Sequence, residues 1–247
     1  MSTDRPPKQT QNQTPQNQTT QNQTSQNQRN RIKPPFAPKL EGLTPISDLG
    51  PDRVIDDALI EGLAITAVAL EWHTVEFAEL GSCTLDGGSA ANSDWFKPSW
   101  YDLQLRGVDL ANARLTEAGL RRLEATECRM TGFDVAQSVI QDVTFTGCLL
   151  DLANFRFAKL SRVAFIDCRL RGADLSSAQL TDVTFDGCDL SEVQFHSLRT
   201  TRGRIRGSQL AGATSISGLR GMSIDPLDLV DLAHQLAAEL GISISDE

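Results

Sequence analysis

DVTFTGC at 142–148, RVAFIDC at 162–168 and DVTFDGC at 182–188 align without a gap at a spacing of twenty residues. Cys128, Cys148, Cys168 and Cys188 share that spacing, and the chain around them beats at one quarter of it. From Leu105 onward every fifth residue is apolar, through Leu110, Leu115, Leu120, Met130, Val135, Ile140, Phe145 and on to Phe195, Ile205 and Leu210, with Ala125 and Thr200 as the weak beats. A second small or apolar residue stands two positions earlier, as in Val143, Ala153, Val163, Ala173 and Val183. A period of five suits neither the 3.6 of a helix nor the 2 of a strand, so a structural repeat must build the core.

If each five-residue unit makes one side of a square coil, four units close a turn and residues twenty apart stack directly. Each corner then needs a turn two residues after the central apolar position. Gly107, Gly132, Gly147, Gly172, Gly187, Gly207 and Gly212 stand there, where glycine adopts conformations that a β-carbon resists.

These residues resemble the pentapeptide-repeat proteins, whose units read roughly Ala-Asp/Asn-Leu-x-x. GADLS at 172–176 and VDLAN at 108–112 are close matches and ALIEG at 58–62 is a looser one. The resemblance covers about two thirds of the chain. It implies an all-β solenoid, a right-handed quadrilateral β-helix, here expected to have about seven coils and a length of about 35 Å. It also implies non-enzymatic recognition. In the gyrase-interacting branch an acidic rod mimics DNA, occupies the DNA site of gyrase and confers quinolone tolerance, and the C-terminal region makes a homodimer.

The repeat accounts for features that resemble chemistry. The cysteines lack CxxC pairing and a histidine cluster, so metal-ligand spacing is missing, and they read as a ladder of small buried thiols with Cys83 in the same register. Phe145, Phe165 and Phe185 read as a stack in the core. Arg122, Asp142, Arg162, Asp182 and Arg202 form a ladder of alternating sign, in which exposed neighbours would contribute about 0.2–1 kcal/mol each and a one-coil slip would juxtapose like charges. His73, His196 and His234 are scattered, and no nucleophile elbow, phosphate loop or acid pair stands out. No catalytic, cofactor or metal residues are assigned.

Residues 1–40 are expected to be a disordered Gln/Asn-rich tail, since QNQTP, QNQTT, QNQTS and QNQRN repeat without an apolar position. A lead-in or cap follows at 41–57, first coils at 58–85, and the main β-helix at 103–222. Between them DGGSAANSDWFKPSWYD at 86–102 reads as a projecting loop or distorted coil, with Trp95, Phe96, Trp100 and Tyr101 as candidate partner anchors. A helix is expected at 225–241: Asp225 caps it, Pro226 opens it, and Gly241 ends it. Its apolar residues Leu229, Val230, Leu232, Leu236 and Leu240 suit a cap on the last coil and a contact with a second copy.

Net charge is −9, distributed as +5 over 1–40, −9 over 41–100, +1 over 101–220 and −6 over 221–247. An acidic body opposes direct nucleic-acid binding and suits a DNA mimic, although the neutral centre does not. The expected partner is therefore a protein, DNA gyrase being the named candidate and a structural scaffold with an unrelated partner the alternative. No run of residues approaches transmembrane length or a secretory signal, so a cytoplasmic setting with reduced cysteines is expected and the sequons at Asn12, Asn17 and Asn22 are idle.

Overall fold

The computed structural model describes residues 31–242, excepting the side chains of residues 231, 234 and 238. The Gln/Asn-rich repeats of residues 1–30 lie outside the described residues. The chain winds as a β-solenoid of about nine turns, nearly all strand, with one short C-terminal helix.

The twenty-residue register is literal. In the parallel ladder Val143 pairs with Val163 and Val163 with Val183, while Phe145 pairs with Phe165 and Phe165 with Phe185. One continuous sheet stacks Thr44–Ile46, Leu63–Ile65 and then the eight-residue strands Glu79–Asp86, Ser99–Arg106, Gly119–Thr126, Val139–Thr146, Lys159–Ile166, Gln179–Asp186 and Arg199–Arg206. The remaining faces pair through shorter strands and single bridges, again twenty apart, such as Asp109 with Arg129 and Asp134 with Asn154. Every residue on the five-residue beat from Val135 to Leu190 is buried. The phenylalanines stack at 5.1 Å and 4.9 Å between centroids, their planes within 8° of parallel, and Phe155 meets Phe165 edge-on.

The corners are left-handed. All seven glycines placed there by the sequence have positive φ, and so do non-glycine residues in equivalent positions, including Trp72, Phe77, Leu152 and Phe157. Such a residue costs about 1–2 kcal/mol of backbone energy. Pairing and burial along the whole coil must hold it there.

Three expected boundaries change. The first coil begins at Thr44 rather than near 58, since Thr44–Ile46 already pairs with Leu63–Ile65 and Leu49 and Val54 are buried. Of the two readings of segment 86–102, a projecting loop or a distorted coil, the structure has a coil. Gly88–Ser89, Asp94–Phe96 and Ser99–Arg106 pair in register with the coils on either side, which raises the count from seven to about nine. Residues 32–40, assigned above to the tail, belong to the same compact unit as the solenoid. They run along its outside, where the Phe36 and Lys39 N–H groups donate to Asp142 and Asp102.

The C-terminal helix spans Leu229–Glu239, so Pro226 precedes it in a turn rather than opening it. The Asp225 carboxylate accepts the Leu227 N–H, and its carbonyl accepts that of Leu229. Gly241 has φ near 70°, and the Ile242 N–H returns to the Ala237 carbonyl. Leu232 is buried and Leu236 packs on the core, which closes the open end of the last coil.

Candidate functional site

A solenoid offers three kinds of place for recognition: flat faces, corner rows and ends. The corner row through residues 102, 122, 142, 162, 182 and 202 carries the most organised polar structure. Each residue has φ between 52° and 57°, at the bend in the middle of an eight-residue strand. The sequence ladder began at Arg122; the structure adds Asp102, which pairs with Arg122. Contacts run in one direction only. Arg162 Nε and Nη2 reach the two Asp142 oxygens at 2.5 and 2.7 Å, and Arg202 reaches Asp182 at 2.6 and 2.8 Å. Each guanidinium therefore grips the carboxylate one coil back, and the coils pair as 102–122, 142–162 and 182–202. These are not the exposed pairs expected from sequence, because Asp142 and Asp182 side chains are only 3% exposed.

The Arg122 guanidinium holds the Asp102 carboxyl below the ordinary carboxylate range, and Arg202 does the same for Asp182. At Asp142 burial pushes the carboxyl up, but Arg162, the Gln141 side chain and the Phe36 N–H outweigh it and the net direction is down.

Other charged pairs line the remaining corners and faces: Arg129 with Asp109 at 2.9 Å, Arg106 with Asp86 at 3.1 Å, Lys97 with Glu117 at 3.3 Å and Arg171 with Glu192 at 2.6 Å. The middle coils thus pair most of their acids with basic residues of neighbouring coils. Unbalanced acid lies towards the first coils, which hold Asp56, Asp57, Glu71, Glu76 and Glu79.

The four proposed anchor residues separate. Trp95 and Trp100 are buried and meet edge-on at 5.3 Å; neither is available to a partner. Trp95 donates its Nε1–H to Ser93, whereas Trp100 Nε1 has no partner among the described residues. Phe96 and Tyr101 remain half-exposed. Phe96 packs edge-on against Phe77 at 5.7 Å, with Lys97 over its ring at 4.8 Å. Tyr101 donates to Glu61, which pushes its hydroxyl up to about 12. Its ring lies over Gly81, where an added β-carbon would fall 2.3 Å from it.

The cysteine ladder is buried, and each thiol touches backbone carbonyls, as Cys168 does at Phe145 and Cys188 at Phe165, both at 3.4 Å. Burial pushes Cys188 up to about 11, which disfavours the reactive thiolate. Among the described residues, no group of three or more His, Cys, Asp or Glu side chains is arranged to hold a metal ion, and no helix is long and apolar enough to cross a membrane. His73 lies half-buried beside the Val54 carbonyl as a packed side chain.

At the C-terminal end the proposed dimer residues also divide. Leu232 and Leu236 face inward, while Leu229, Val230 and Leu240 are exposed beside Leu227 and Ile242.

Residues 138–214 match a family model described as a pentapeptide repeat region. No curated protein matches the chain. Solved structures similar to it include QnrB1, a plasmid-mediated fluoroquinolone resistance protein, in a trypsin-treated form of a point variant, at 14% identity over 83% of this chain and 100% of that one, with a TM-score of 0.41. HetL, a pentapeptide repeat protein involved in heterocyst differentiation regulation in the cyanobacterium Nostoc sp. strain PCC 7120, matches at 17% identity over 74% of this chain and 89% of its own, with a TM-score of 0.34. Rfr23 from the cyanobacterium Cyanothece 51142 matches at 19% identity over 47% and 64%, with a TM-score of 0.22. Residues 138–214 of the chain thus carry a pentapeptide repeat region, and they lie within one regular stack of coils.

Proposed function

We propose that this protein is a non-enzymatic, protein-binding rod that works as a homodimer through its C-terminal helix, in a cytoplasmic setting. The observation that carries the reading is the division of that helix. Leu232 and Leu236 cap the last coil, yet Leu229, Val230 and Leu240 leave a second apolar strip uncovered at 48–74% exposure. Capping accounts for the first pair alone, and a second copy of the helix accounts for the strip. Light scattering of the full-length chain tests it: a dimer that Val230→Glu converts to a folded monomer supports the reading, and a wild-type monomer at tens of micromolar overturns it.

The partner-level reading is mimicry of DNA at a topoisomerase. Pairing of acids with arginines along the rod weighs against an acidic stripe there, so mimicry rests on the acidic first coils and on Asp225, in the turn before the helix, which a tail-to-tail dimer would bring towards its centre. A gyrase supercoiling assay with the full-length chain, with and without ciprofloxacin, decides it. Inhibition or relief of drug-stabilised cleavage at sub-micromolar protein supports mimicry. No effect at tens of micromolar leaves the scaffold reading, with the acidic coils and the exposed Phe77–Phe96 pair as the surface to probe.

A further inference from the structure

Residues 32–40 read IKPPFAPKL, and prolines stand at 34, 35 and 38. Two backbone N–H groups of this segment donate to the corner row, Phe36 to Asp142 at 3.2 Å and Lys39 to Asp102 at 2.9 Å, and the Lys33 N–H faces Asp182, where it helps hold the carboxyl down. The donors are three residues apart and the acceptors forty, which is two coils. Ile32, Pro35 and Pro38, again three apart, are half-buried between exposed neighbours, and Leu40 is half-buried where the segment leads into the first coil. A β-strand alternates sides at every residue and would turn Phe36 away from Lys33 and Lys39. A polyproline II helix has three residues per turn and keeps all three donors on one side.

The lengths agree. Three residues of polyproline II rise about 9.3 Å, and two coils at the inter-strand spacing rise about 9.6 Å. Over the three sites the mismatch accumulates to roughly 0.6 Å, within the tolerance of hydrogen bonds. The alternating sign of the ladder is what sets the acceptors two coils apart. Prolines occupy only positions without a donor role, since proline has no N–H to give.

We propose that Asp102, Asp142 and Asp182, each held by its arginine, form a binding site for a polyproline II segment with a free N–H at every third residue, and that residues 32–40 are its ligand in cis. The arginines fix the carboxylates and leave lone pairs pointing outward for the peptide N–H groups. Phe36 adds a contact, lying 5.5 Å from the Arg162 guanidinium. The site reads backbone spacing and admits proline at two positions in three.

A proline scan of the full-length chain tests this, followed by amide exchange in NMR. In the wild type the Lys33, Phe36 and Lys39 amides exchange slowly while those of Ile32, Ala37 and Leu40 exchange freely. Phe36→Pro removes one charge-assisted hydrogen bond and leaves the polyproline geometry, so Lys33 and Lys39 exchange about tenfold faster. Ala37→Pro, one position away, leaves both rates within about threefold, since that position carries no donor role in the period of three. A fluorescein-labelled peptide of residues 31–43 then binds the Phe36→Pro chain and is excluded from the wild type, whose own segment competes at an effective concentration of about millimolar. Equal effects of the two proline variants, protection without the period of three, or no peptide binding to the Phe36→Pro chain at millimolar concentration would each overturn the proposal. Asp142→Asn, which keeps the side-chain volume, must reproduce the Phe36→Pro exchange pattern if the carboxylate is the acceptor.

Discussion

Two corner rows of this solenoid share one backbone conformation and differ in everything else. The row through 102, 142 and 182 buries carboxylates, pairs them with arginines and is crossed by a segment of the same chain. A second row holds Gly132, Leu152, Gly172, Glu192 and Gly212 at equally positive φ, with Leu152 67% exposed over Gly172. The coil demands only a left-handed residue at the bend. Side-chain chemistry then decides whether the corner becomes a packed polar seam or an open edge.

The comparison breaks most sharply at Asp142. Asp142→Ala strands the Arg162 guanidinium and the Phe36 N–H, and a loss of about 2–4 kcal/mol is expected in urea unfolding, against under about 0.5 kcal/mol for Glu192→Ala in the open row. Acid attacks the same seam more gently, because a protonated carboxyl still accepts a hydrogen bond. The folded carboxyls of Asp102, Asp142 and Asp182 titrate below their unfolded values. Their contribution is therefore complete above the unfolded value near about pH 4 and is lost as pH falls through the lower folded values. Thermal melts from about pH 6 down to about pH 2.5 should show this loss, and a chain with all three changed to Asn should show a shallower fall. Leu152→Gly relieves a left-handed leucine at an exposed site and is expected to stabilise by about 0.5 kcal/mol, readable as a small rise in Tm. Phe36→Ala removes an exposed contact with Arg162 and should cost about 0.5 kcal/mol at most, measured best as amide exchange in residues 32–40.

Much of the fold was legible because the period of five is carried by buried side chains that cannot move without loss. The phenylalanine stack, the cysteine ladder and the glycine corners all follow from that beat. The segment 86–102 carried the beat as well, with Trp95 and Trp100 at multiples of five, but its Gly, Pro and Asp content suggested a loop. Register outweighs composition here, since a coil in phase on both sides gains two full ladders of backbone hydrogen bonds. The segment 32–40 was illegible for another reason. Its prolines signal an extended chain, but its partners are remote in sequence, Asp142 lying 106 residues from Phe36, and become a matching series only when the coil stacks them. Asp102 escaped the ladder because it was assigned to the supposed loop. The sequence did not divide the helix's apolar residues between cap and outer surface, whereas the last coil takes Leu232 and Leu236 and leaves Leu229 and Leu240 outside.

The one-way grip of each arginine has a mechanical side. Coils are fastened in twos at this corner, and among the described residues the junctions between 122 and 142 and between 162 and 182 lack a side-chain clasp there. The segment 32–40 bridges both junctions as it passes from Asp182 to Asp102. Pulled from its ends, the rod should yield in units of two coils, each releasing up to about 130 Å of chain, once the crossing segment has peeled away. The crossing segment is thus the first part to carry load, and its departure sets the size of every later step.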